Sequence, residues 1–128
     1  MIFINIEDID IPIINDTLSL KGSIYYGLKT PKKAPFIINI SGMGNNRNSS
    51  FVYYFSEKFA EAGYYVLSYD HRGHGKTEKL TKRVINDNIV KIFYDIHHVI
   101  TWIINQQKEL VFEYKNRFIK LIIYVLKK

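Results

Sequence analysis

The chain has 128 residues, 47% of them hydrophobic, with 18 basic and 12 acidic side chains for a net charge of +6. That length suits one domain, and the composition excludes a disordered tail or a collagen-like fibre. With no cysteine in the chain, disulfides, thiolate metal sites and cysteine nucleophiles are excluded, and a cytoplasmic location is expected. No apolar run approaches the about 20 residues of a spanning helix. The opening MIFINIEDID lacks the basic residues that begin a signal peptide. The positive charge is scattered over Lys32 and Lys33, 76–83, 115–120 and the last two lysines. This pattern predicts a solvated surface, with no nucleic acid and no membrane among the partners.

In chain order, Ile2, Ile4 and Ile6, then Ile9, Ile11 and Ile13, alternate loosely. After the turn signal Asn15-Asp16, Leu18, Leu20, Gly22, Ile24 and Tyr26 resume a period of two. This predicts an antiparallel pair of strands. PFIINIS, residues 35–41, is a continuous apolar run of the kind buried on both faces of a parallel sheet. From Phe51 a helical stripe follows through Val52, Phe55, Phe59 and Ala62, with Ser49 or Ser50 as its cap and Gly63 at its end. YYVLSYD predicts another buried strand. A second helical stripe covers roughly residues 86–107, and FIKLIIYVL a final strand over 119–126. Strand, helix, strand, helix, strand after a hairpin is an α/β pattern with a parallel sheet.

Ligands of open α/β sheets sit beyond the carboxyl ends of the strands. Two polar, glycine-bearing loops lie there: Ser41-Gly42-Met43-Gly44-Asn45-Asn46-Arg47, and Asp70-His71-Arg72-Gly73-His74-Gly75-Lys76-Thr77. The second ends like a phosphate loop, but Asp70 stands where that pattern needs glycine, and a carboxylate there repels phosphate. His71 and His74, with His97 and His98 farther along, lack a carboxylate set at ligand spacing. No metal and no cofactor is therefore expected.

In the order and character of these loops the sequence resembles the α/β-hydrolase superfamily, in particular its esterase, lysophospholipase and serine-aminopeptidase-like branches. The resemblance runs from about Leu18 to Leu126. It implies a partial α/β-hydrolase fold: the N-terminal antiparallel hairpin, then parallel strands with helices on both faces, in sheet order 1-2-4-3-5. It also implies an oxyanion-hole loop of Ser41, Gly42, Met43 and Gly44, with the Met43 backbone N–H as one donor and Ser41 where the family usually has histidine. Asp70, Arg72, Gly73, His74 and Gly75 match a loop whose role in the family is structural, and Arg72 beside Asp70 suggests a loop-fixing ion pair.

Family hydrolases carry their nucleophile on a G-x-S-x-G elbow after the fifth strand. None of the seven serines here has glycine at both i−2 and i+2. No catalytic residue is assigned, and the four histidines do not match the family's catalytic one. The expectation is a single truncated domain, 1–128, ending at the fifth strand and inactive alone. Its partner is a complementing C-terminal hydrolase chain, or a second copy paired through the exposed apolar edge at 119–126. The alternative is a non-catalytic module that uses the same edge to bind other proteins.

Overall fold

Alternation in the first third of the chain builds two long strands in the computed structural model, which describes residues 3–13, 18–31, 33–42, 44–77 and 89–106. Strand β1 (Ile4–Pro12) pairs antiparallel with β2 (Ser19–Gly27), in a register running from Ile4 opposite Gly27 to Pro12 opposite Ser19. Then come β3 (Phe36–Ile38), helix α1 (Ser50–Glu61), β4 (Tyr65–Tyr69) and helix α2 (Ile89–Gln106). β4 is antiparallel to β2 and parallel to β3, so the sheet is mixed, in the order β1-β2-β4-β3. It differs from the expected 1-2-4-3-5 in having four strands among the described residues. The fifth was assigned to 119–126, which lies outside them.

Alternation in the central strands separates two cores. On one face Leu20 of β2, Phe36 and Ile38 of β3, and Leu67 and Tyr69 of β4 pack with Val99 and Ile103 of α2. On the other, Tyr25 and Val66 pack with Ala60 of α1. The helices thus cover opposite faces. α1 turns a narrow row of Val52, Ser56 and Ala60 to the sheet, and α2 turns Ile92, Asp95, Val99 and Ile103 inward at steps of three and four.

β3 is shorter than the apolar run suggested. Its backbone follows β4 one residue further, Asn39 N–H donating to the Leu67 carbonyl. The Asn39 side chain then turns to α1, where Nδ2 donates to the Val52 carbonyl and to Ser56 Oγ. A polar residue thereby ends the strand and fastens the helix that follows. Ser49 stands at the N-cap, but its side chain makes no capping bond into α1 and instead accepts the Asn46 N–H. Gly63 closes the helix at φ +101°, a left-handed conformation that glycine adopts without a Cβ penalty. Among the described residues no helix is long and apolar enough to cross a membrane.

Leu67 is fully buried between β2, β3 and α2. Replacing it with alanine removes buried methyl groups and leaves a cavity. Leu67→Ala is expected to lower unfolding free energy by about 2–5 kcal/mol, readable as a lower urea midpoint with an unchanged slope.

Candidate functional site

β3 and β4 are parallel neighbours, so the loops that leave their carboxyl ends, near residues 39–47 and 70–77, emerge side by side. Side chain–backbone bonds join them. Asp70, 1% exposed, accepts the Arg47 N–H at 2.8 Å on one carboxylate oxygen and the Lys76 N–H at 3.0 Å on the other. His71 Nε2–H donates to the Ser41 carbonyl at 2.9 Å. His74 accepts the Gly44 N–H on Nε2 at 2.9 Å and donates from Nδ1 to the Arg72 carbonyl at 3.0 Å. The second loop is itself tied to the sheet. Asp70 N–H donates to the Lys21 carbonyl, Lys21 N–H donates to Thr77 Oγ1, and that hydroxyl donates to the Asp70 carbonyl.

Gly75 is a steric requirement of this arrangement. Its φ is +50°, and a Cβ there would lie 2.5 Å from the Asp70 carboxylate carbon. The resemblance to a phosphate loop also resolves here. The N–H groups of Arg47 and Lys76 already hold a carboxylate of the chain and are not open to an external anion.

One expectation about local pairing is corrected. Arg72 does not pair with Asp70. Its Nε and Nη2 make a bidentate contact with Asp95 of α2 at 2.6 and 2.7 Å, with both side chains buried. The reason is geometric: the Asp70 carboxylate is turned toward the first loop, while Arg72 reaches the opposite helix layer, where a buried carboxylate requires a cation. Ser41 makes no bond through its side chain; its Oγ is buried without a partner, and the residue is held by its carbonyl instead. Met43, the expected oxyanion donor, lies outside the described residues. Gly42 precedes it, and the Gly44 N–H is already engaged by His74.

Asp95 belongs to the junction although it lies outside both loop motifs, and Arg47 and Thr77, which end the two loops, join it without having been named as site residues. Asp95 carried a legible signal, since it occupies an inward position of an apolar helical stripe, where a charge needs a buried partner. Arg47, 3% exposed, stands 3.8 Å through Nε from Asp70 and 3.9 Å through Nη2 from Asp8. It lines a polar recess of about 290 Å³ with Asp8, Ile9, Asp10, Lys21 and Lys76. There Lys21 Nζ is 2.6 Å from Asp10. An apolar pocket of about 240 Å³ lies at the other end of the sheet, between Gly27–Thr30 and the end of α1. Among the described residues no three His, Asp or Glu side chains converge as metal ligands, and His97 and His98 stand on α2.

Burial holds the His71 imidazole below its ordinary value of 6.5, against the bond to the Ser41 carbonyl, which acts to raise it. The unfolded chain therefore takes up this proton at a higher pH than the folded one. Stability from this group is fully present above about pH 6.5 and is lost as pH falls through the lower folded value. Urea midpoints are expected to drop between pH 7 and pH 5, and His71→Gln should flatten that part of the profile. Asp95→Ala, which leaves Arg72 buried without its carboxylate, is expected to cost about 3–5 kcal/mol in the same assay, more than any exposed carboxylate replacement.

A family model described as serine aminopeptidase, S33, matches residues 32–119, more than half of the chain and inclusive of both loops. No curated protein and no solved structure matches the sequence.

Proposed function

The chain belongs to the serine aminopeptidase S33 family, within the α/β hydrolases, and from that premise we propose that it supplies the oxyanion-loop half of a serine hydrolase acting on ester or amide bonds. The observation that carries this reading is the double clamp on residues 41–44. His71 holds the Ser41 carbonyl and His74 holds the Gly44 N–H. A backbone donor stabilises a developing oxyanion best when it is oriented before the charge appears. Holding the residues on both sides of position 43 is a way to orient that one N–H.

The chemistry would begin with a serine hydroxyl adding to the carbonyl carbon while its proton passes to a histidine base. The oxyanion would be held by the N–H of position 43 and by one following the nucleophile. None of this chain's seven serines sits on a G-x-S-x-G turn. Nucleophile, acid and base are therefore assigned to a complementing hydrolase polypeptide or to sequence continuing from this one, joined at the fifth position beside β3. In this reading Asp70, Arg72, Gly73, His74 and Gly75 shape the loop and do not react.

A second reading is favoured by one feature. Among the described residues β3 is paired on one side only, with β4, and an open strand edge is a surface for pairing. On that basis the chain would be a non-catalytic module that binds another protein or a second copy through an exposed strand edge, the one expected at 119–126.

A fluorophosphonate probe followed by intact-mass spectrometry separates the two. The chain alone is expected to remain unlabelled. A product that joins it to a downstream G-x-S-x-G reading frame is expected to gain a single adduct. Labelling of the chain alone would put a nucleophile among its own serines, and an unlabelled joined product would leave the binding module as the better account.

A further inference from the structure

Both nitrogens of His74 are in use, and the partners dictate which one carries the proton. The Gly44 N–H only donates, so Nε2 is the acceptor; the Arg72 carbonyl only accepts, so Nδ1 bears the hydrogen. The residue is 4% exposed, so water cannot replace either partner unless the loop moves. His71, whose ring lies 5.7 Å away, is built differently: Nε2–H donates to the Ser41 carbonyl and the buried Nδ1 has no partner. A proton added to His71 Nδ1 leaves its bond to the first loop intact. A proton added to His74 Nε2 sets a donor against the Gly44 donor and abolishes that bond.

We propose that His74 is a protonation-dependent positioning residue, which in its neutral form latches Gly44 and on protonation releases the first loop. The charged and titratable groups of the junction do not restore the latch. Asp70 already accepts from Arg47 and Lys76. Asp95 of α2 is bidentate with Arg72. Arg47 and Arg72 are cations with no side-chain acceptor to offer, and the one lone pair left free, on His71 Nδ1, makes no bond to His74. The release is local, because Asp70 keeps the Arg47 end of the same loop through a bond that does not involve an imidazole. That the latch governs an oxyanion donor at position 43 rests on the function proposed above; the latch itself does not.

The test is two-dimensional NMR of the full chain, following the Gly44 amide, the His74 ring nitrogens and the β4 amides against pH. Below the His74 midpoint the Gly44 protection factor should fall about tenfold per pH unit, the slope of one bound proton, while Val66 and Leu67 stay protected. In His74→Gln the side-chain carbonyl can accept the same N–H and does not titrate, so Gly44 should remain protected across that range. Three results would overturn the proposal: Gly44 protection that is constant through the His74 titration, loss of Gly44 and β4 protection together, or an unchanged pH profile in His74→Gln. The wild-type titration decides the matter even where the variant does not fold. It reads amides and not catalysis, so its failure and that of the hydrolase reading are separately visible.

Discussion

A single buried carboxylate organises the end of the sheet from which both loops emerge. Asp70 leaves β4 with its backbone N–H bonded to the Lys21 carbonyl, while its two oxygens receive N–H groups from Arg47 and Lys76. Bonds of this kind to an ionised acceptor are among the stronger ones in proteins, and a buried carboxylate without them carries a large desolvation cost. The neighbouring features follow from that need. Gly75 is where any Cβ would collide with the carboxylate, and the Thr77 hydroxyl closes the turn on the Asp70 carbonyl. The first loop starts from β3 and is drawn over β4 because Arg47 N–H has its acceptor there.

The second constraint links this junction to the opposite face of the sheet. Arg72 extends from the loop after β4 to Asp95, which sits between the core-facing Ile92 and Val99 of α2. A buried bidentate pair contributes modest net stability compared with an apolar contact, but either partner without the other is costly. The pair therefore specifies how α2 docks more than it strengthens the docking. α1 is positioned by separate means: Asn39, the residue that ends β3, holds the Val52 carbonyl and Ser56. Helices on both faces are thus tied by polar side chains to the strand ends that carry the loops. The geometry of the loops is inherited from the layers beneath them.

Much of this was legible as pattern. A period of two in the isoleucine-rich opening yields β1 and β2, and apolar steps of three and four yield α1 and α2, because burial on one face of each element is a property of spacing. The glycines of the second loop signalled a backbone that side chains cannot follow. Partner choice was not legible. Arg72 and Asp70 are two residues apart, and proximity in sequence suggested a pair; the fold turns their side chains to different layers. Asp95 is separated from Arg72 by a whole connection, and only its place within an apolar stripe betrayed it. The length of β3 was overestimated for a similar reason. Asn39 interrupts an apolar run by bonding a helix that the run itself does not reveal.

The two histidines of the second loop show how residue type and role can part. A histidine beside glycines near a strand end invites an acid–base reading, yet each imidazole here is turned to backbone of the first loop. One presents a hydrogen to a carbonyl, and the other presents a lone pair to an N–H. Opposite tautomers are thereby selected within four residues of chain, by backbone groups whose own polarity cannot change. Ser41 is held through its carbonyl and Gly44 through its N–H, so both residues are fastened to the second loop by their backbone. The Ser41 hydroxyl takes no part in this, being buried without a partner.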